Sequence, residues 1–248
     1  MNEAKSERIA KRLARVGLCS RREAERWIAA GRVAVNGEVL ESPAVVVGHK
    51  DRICVDGKLL AAPAAMQLWR YHKPRGLVTS HRDEKGRPTV FDALPRDLPR
   101  LVSVGRLDIT SEGLLLLTND GALARYLEHP STALTRRYRA RVHGNVDDAA
   151  LRSLAKGVTV NGVRYASTEI SIDRRGDGKN SWLNVSLREG KNREVRKLLI
   201  HAGLVVNRLI RISYGPYQLG NLKAGKVADV SRKVLHEQLG RDWTEKLR

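Results

Sequence analysis

Apolar side chains first recur at helical spacing. Ile9, Leu13 and Val16 fall at i, i+4 and i+7, and Gly17 follows them. That pattern predicts a helix over 6–16 with one apolar stripe, and Arg8, Lys11, Arg12 and Arg15 cover its other side. A second helix is predicted from Ser20, which stands three residues before Glu23 as in a capping box. It buries Ala24, Trp27 and Ile28 and ends at Gly31. The period then changes to two. Val33, Val35, Asn36-Gly37 and Val39 predict one hairpin, and Ile53, Val55, Asp56-Gly57 and Leu59 a second, because both dipeptides accept the positive φ of type I′ turns. Two helices followed by two hairpins make a module over 1–60, a size that folds alone.

Residues 61–67, AAPAAMQ, form an Ala/Pro linker and mark the domain boundary; such a spacer is either flexible or docked. Beyond it, short apolar runs predict strands at 68–71, 76–79, 114–118, 138–142, 158–160 and 183–187. Helical spacing predicts helices at 121–128, 146–155, 193–202 and 230–239. Four consecutive leucines, 114–117, suit a strand buried on both faces. Strands dominate and do not alternate strictly with helices. The second domain, 68–235, is therefore expected to be α+β, with a mixed, largely antiparallel sheet flanked by helices. Residues 236–248 form a C-terminal tail.

Charge says more about partners than about fold. Lys+Arg number 46 against 27 Asp+Glu, a formal charge of +19. The first sixty residues hold 12 basic and 8 acidic side chains and the rest 34 and 19, so both domains are basic. A polyanion, foremost a nucleic acid, is the expected partner. A membrane surface would need an amphipathic helix with a broad apolar face, which is not evident. Cys19 and Cys54 stand far apart and the seven histidines are scattered, so neither a disulfide framework nor a metal site is expected. The first thirty residues lack an apolar leader core, and no apolar run approaches the length of a membrane span. The expected location is the cytoplasm.

Two places can carry chemistry. Ser20-Arg21-Arg22 at a helix start, with Arg26 and Arg32 following, would cradle a phosphate with backbone amides and guanidinium groups; the alternative is a solvated face paired locally by Glu23 and Glu25. Asp108 precedes the leucine strand on a turn carrying Thr110, Ser111 and Gly113. It is placed to act as a nucleophile or base at the lip of a buried strand, or simply to cap the turn.

The pattern Arg12-Leu13-Ala14, Gly17, Ser20-Arg21-Arg22-Glu23-Ala24, Ile28, Gly31-Arg32-Val33, Val35-Asn36-Gly37 resembles the S4 RNA-binding module over nearly all of the first domain. It implies recognition of structured RNA by shape and backbone, with Arg8, Arg12, Arg15, Ser20, Arg21, Arg22 and Arg32 as contacts. In the second domain, Gly105-Arg106-Leu107-Asp108 with Ser111-Glu112-Gly113-Leu114-Leu115-Leu116-Leu117-Thr118-Asn119-Asp120-Gly121 resembles the active-site motif of RsuA/RluB-type ribosomal RNA pseudouridine synthases. Lys73-Pro74-Arg75-Gly76, Arg137-Tyr138-Arg139-Ala140, 189–197 (EGKNREVRK), Leu209-Ile210-Arg211-Ile212 and Tyr214-Gly215-Pro216 extend it over roughly 68–232.

The resemblance implies isomerisation of uridine to pseudouridine within RNA, with no cofactor and no metal. By motif, Asp108 is the catalytic aspartate, acting at the base C6, at the sugar C1′ or through a glycal route. Arg196 matches the basic residue that pairs with it, although by itself it reads as a surface arginine among Lys191, Arg193 and Lys197. Tyr138 matches the tyrosine that stacks on the target base and assists proton transfer at C5; by itself it is a plain strand aromatic. Arg106 is the candidate to fill the gap left by a flipped-out uridine. Lys73, Arg75, Lys191 and Arg193 are further RNA-binding candidates. The 192–196 and 86–90 stretches are most similar to the RluB branch, which makes 23S RNA of the large ribosomal subunit, free or within an assembly intermediate, the expected substrate. A small-subunit 16S RNA enzyme and a non-catalytic ribosome-associated RNA-binding protein are the alternatives. The chain ends at Arg248 without the long basic tail of some RluB-type members, so the phosphate grip is expected to come from the second domain and to weaken steeply with salt.

Overall fold

The computed structural model describes residues 6–176, 179–239 and 243. In the N-terminal module, helices α1 (Ile9–Arg15) and α2 (Arg21–Ala29) pack on a four-stranded sheet made by the two hairpins. Ser20 and Glu23 form the reciprocal capping box at the start of α2. Asn36-Gly37 and Asp56-Gly57 take the positive φ that type I′ turns require. The first helix is shorter than expected: Glu7–Arg8 pairs as a short strand with Val46–Val47, so helical geometry begins only at Ile9. Trp27, expected in the core, is half-buried beneath the Arg32 guanidinium, 4.7 Å from its ring centroid.

The larger domain is α+β. Its nine-stranded sheet contains β1 (Leu68–Lys73), β2 (Val102–Val104), β3 (Glu112–Thr118), β4 (Arg136–His143), β5 (Glu169–Arg175), β6 (Asn180–Leu187), β7 (Val205–Tyr214), β8 (Tyr217–Gln218) and β9 (Val227–Asp229). The order is β5-β6-β4-β7-β3-β1-β9, with β2 added on β3 and β8 on β7. Among the described residues every pairing is antiparallel except β7–β3, where Ile210 faces Glu112 and Arg211 faces Gly113. Helices α3 (Gly121–Glu128), α4 (Asp148–Ala155), α5 (Glu194–His201) and α6 (Arg232–Leu239) flank the sheet. Among the described residues, no helix is long and apolar enough to cross a membrane.

Strand β3 is the spine. Its leucines are fully buried and alternate between faces. Leu114 and Leu116 pack with α3, α6 and Trp243; Leu115 and Leu117 pack on the other side with Tyr71, Val90, Leu101 and Leu107. Each buried leucine is worth about 1.5–3 kcal/mol. A third cluster joins Ala140, Leu183, Leu187 and Leu209 to α4 and α5. Tyr138 touches this cluster and the Leu115 cluster, and the cleft of the domain opens between them.

The strand expected at 76–79 is not formed. Pro74 removes a donor, Gly76 takes a φ of +91°, and only an isolated bridge, Val78 to Thr89, remains. Strands β2, β5, β7, β8 and β9 went unpredicted. Of the tail expected at 236–248, residues 236–239 complete α6 and Trp243 is buried; 240–242 and 244–248 lie outside the described residues.

Candidate active site

Asp108 sits on the loop between β2 and β3, and that loop is bound through its backbone. Thr79 Oγ1 donates to the Leu107 carbonyl (2.8 Å) and accepts from the Leu107 N–H (3.3 Å), and Gly76 N–H donates to the Ile109 carbonyl (2.8 Å). Lys73, at the end of β1, is fully buried; its Nζ donates to the carbonyls of Pro74 (3.0 Å), Asp108 (3.1 Å) and Ser111 (2.9 Å). Burial pulls its pKa down to about 8, with Asp108 and Glu112 opposing. Lys73 was expected to bind RNA; it lies under the loop and is spent on holding it. Its place follows from strand alternation, which turns Tyr71 and Lys73 inward together.

Beyond the loop, β3 enters the sheet at Gly113. Its φ is +105°, and a Cβ there would meet the Arg211 backbone, with the nitrogen 2.6 Å away. This close approach is what lets the parallel β7–β3 pair form beside the loop.

The cation beside the Asp108 carboxylate is Arg193, with Nη1 3.5 Å from Oδ2. Arg193 is the residue before α5 and takes the left-handed conformation (φ +53°, ψ 31°), at a backbone cost of about 1 kcal/mol for a non-glycine residue. Arg196, expected to pair with Asp108, does not reach the carboxylate. It is buried one turn into α5 and donates from Nη1 to the Val206 carbonyl (2.9 Å) and from Nη2 to the Thr110 carbonyl (3.3 Å). Burial lowers its pKa, the Arg193 charge acts the same way, and Asp108 opposes both. Arg196 thus ties the Asp108 loop to β7, because the helical turn points it under the loop while the αL residue ahead of the helix projects over it.

Asp108, Arg106, Tyr138 and Arg193 line one cleft of about 910 Å³, within the size range of small-molecule sites. Tyr138 is half-buried, Arg106 is exposed at the rim, and Arg75 is exposed nearby. The cleft is basic, with seven Lys/Arg lining it against four carboxyls. At one end Arg136 is buried, donating to the Leu134 and Arg188 carbonyls and to Tyr214 Oη (2.8 Å). Arg211, also buried, donates from Nε to the Leu114 carbonyl (2.7 Å). At the other end Glu194 is buried; Oε2 accepts from the Lys191 N–H (2.9 Å), and Oε1 has no hydrogen-bond donor. Burial pushes its pKa up to about 7; the Lys191 N–H opposes this and Glu189 adds to it. The Lys191 ammonium is held by Glu189 and the Arg164 carbonyl.

A model of the RNA pseudouridylate synthase family matches residues 67–201, more than half of the chain and the whole of the Asp108 loop. The chain belongs to that family. Relatives of the synthase include an uncharacterized RNA pseudouridine synthase of Rickettsia prowazekii, 44% identical over 94% of this chain and 97% of the relative. The ribosomal large subunit pseudouridine synthase B of Escherichia coli O157:H7 is 46% identical, covering 86% of this chain and 76% of its own. A pseudouridylate synthase crystal structure superposes with a TM-score of 0.65 at 26% identity, over 94% of this chain and 99% of that one.

The synthase's N-terminal module matches the S4 domain model over residues 7–58. Its candidate contacts divide. Arg8, Arg21 and Arg22 are exposed and make no ion pair among the described residues. Arg12 and Arg15, with Lys11, converge instead on the buried carboxylate of Glu7; Arg12 Nε lies 2.7 Å from Oε1 and Arg15 Nη2 2.6 Å. Arg32 pairs with Asp56 while stacking on Trp27, and the Ser20 hydroxyl accepts the Glu23 N–H as a helix cap. Arg136, Arg211, Glu189 and Glu194 of the synthase cleft were not singled out from sequence. For the two arginines a signal existed: period-two spacing aligns Arg136 with inward Tyr138, Ala140 and Val142, and Arg211 with inward Leu209 and Ser213. Glu189 and Glu194 lie in the charged 189–197 run, which carries the family resemblance but no local pattern that marks either carboxyl.

Proposed function

We propose that this synthase converts one uridine of 23S ribosomal RNA, in the large subunit, to pseudouridine, with Asp108 as the catalytic carboxylate. The observation that carries the reading is the placement of Asp108: a side chain on a backbone-bound loop, lining a basic cleft that Tyr138 also lines, with the Arg193 cation beside its carboxylate. The choice of subunit is supported by the relative named for the large subunit.

In this reading the target uridine leaves its stack at a cost of a few kcal/mol, least in a loop or bulge, and Arg106 enters the gap. The base lies between Tyr138 and the Asp108 loop. Asp108 acts as the N1–C1′ bond breaks, the base turns within the cleft, and C5 bonds to C1′. N1 gains a proton and C5 loses one, the latter with assistance from Tyr138, so the product is an isomer of the substrate. Arg193 orients the carboxylate and stabilises its charge; Lys73 and Arg196 hold the loop from beneath, acting as positioning residues. Exposed Arg8, Arg21 and Arg22 grip phosphates from the S4 domain.

Pseudouridine mapping of total RNA tests this, comparing cells that lack the protein with cells rescued by wild type or by Asp108→Asn. Recovery of one large-subunit uridine with wild type alone is expected. Recovery with Asp108→Asn would remove Asp108 from the chemistry, and a site in another RNA would overturn the substrate.

A further inference from the structure

The cleft occupies one face of the sheet. On the other face α3 and α6 cover the Leu114 side of β3, while the half built from β4, β5 and β6 stays open to solvent. Strand alternation sends Tyr138, Ala140 and Val142 toward the cleft side and Arg137, Arg139 and Arg141 to the open side. Arg174 of β5 and Arg208 of β7 join them, placed by their pairing with Trp182 and Arg141. Arg139 lies over the Trp182 ring at 4.5 Å and pairs with Asp173; Arg208 makes a two-pronged pair with Glu112. Arg137, Arg141 and Arg174 are exposed and make no ion pair among the described residues.

This arrangement works against the fold. Arg141 and Arg208 stand directly opposite each other on antiparallel strands, and like charges so placed are destabilising. An isolated sheet face gains nothing from three unpaired guanidinium groups, whereas a polyphosphate strand laid across it would neutralise them. We infer that the open face of β4–β5–β6 is a second RNA-binding surface, which grips the phosphate backbone of the substrate RNA outside the cleft through Arg137, Arg141 and Arg174. The inference rests on the reading that the substrate is a large ribosomal RNA, long enough to meet both faces of the domain.

The test uses the full chain and 23S RNA transcribed in vitro. Dissociation constants are measured across a salt series for wild type, for Arg137→Gln/Arg141→Gln/Arg174→Gln and for the triple lysine variant at the same positions. Each phosphate contact contributes about 0.9 to the slope of log affinity against log salt. The glutamine variant is expected to bind at least about tenfold more weakly at 0.1 M salt, with a slope lower by up to about 2.7. Its single-turnover rate at saturating RNA stays that of wild type, since none of the three residues lines the cleft. The lysine variant keeps both affinity and slope, because a point charge still meets a phosphate. Wild-type affinity and slope in the glutamine variant would overturn the inference and leave the face to a protein partner. So would a lysine variant as weak as the glutamine one, since the loss would then come from packing. If wild type binds but modifies no uridine in this RNA, the substrate assignment fails, while the binding comparison still decides the surface.

Discussion

Glu194→Gln should make the synthase more stable at alkaline pH and leave it unchanged at acid pH. Glu194 is 3% exposed, with one oxygen on the Lys191 N–H and the other lacking a donor. A buried carboxyl so placed holds its proton, and its pKa rises from 4.5 to about 7. The folded chain therefore binds more protons than the unfolded chain between those values. Stability is greatest below pH 4.5, falls as pH rises toward 7, and bears the full cost above it. At about 1.4 kcal/mol per pH unit, the cost approaches about 3 kcal/mol for this group alone. Glutamine keeps the shape and the acceptor for Lys191 but does not ionise. Urea unfolding of both proteins at several pH values from 4 to 8.5 measures the difference. It should be near zero at the acid end and grow to about 2–3 kcal/mol in favour of the variant. A difference that does not change with pH, or that shrinks as pH rises, would refute the assignment of a neutral buried carboxyl.

Asp108→Asn is expected to abolish turnover and leave RNA affinity within about twofold, since one carboxylate in the cleft contributes little to a grip made of many phosphate contacts; filter binding beside single-turnover assays checks both halves. Arg193→Gly relieves the left-handed backbone at residue 193, so thermal melting should show no loss of stability and a gain of up to about 1 kcal/mol, while turnover falls at least tenfold; a variant both less stable and fully active would contradict the role given to this arginine. Gly113→Ala drives a Cβ into the Arg211 backbone at a positive φ, and a loss of about 3 kcal/mol or more is expected in chemical denaturation. Glu7→Gln removes the carboxylate on which Lys11, Arg12 and Arg15 converge; a loss of about 1–3 kcal/mol that shrinks in 1 M salt is expected.

Local chemistry was enough for the N-terminal module. Its capping box, its αL-permitting Asn-Gly and Asp-Gly turns and its switch from helical to alternating period act within a few residues of themselves, so the sequence alone placed α2 and both hairpins. The same holds for β3, whose four leucines demand burial on both faces wherever the strand lies; for Asp108 local chemistry left a nucleophile or base and a turn cap both open, and only the family resemblance chose between them. Strands β2, β5, β7 and β9 depended on partners far along the chain: short segments of mixed polarity become strands only when a neighbour supplies the ladder, as β9 does on β1.

The parts of the site were legible as residue types, and tertiary structure decided what each one does. Lys73, Arg193 and Arg196 are equal in sequence as cations near a motif. The fold buries the first beneath three carbonyls, turns the second over Asp108 through an αL residue, and spends the third on the Thr110 and Val206 backbone. Arg12 and Arg15 likewise answer a buried Glu7 whose burial no local pattern announces. A charged side chain has reach and freedom enough to serve water, RNA, a carboxylate or a carbonyl. Only the set of groups that folding brings within about 3 Å of it selects among them.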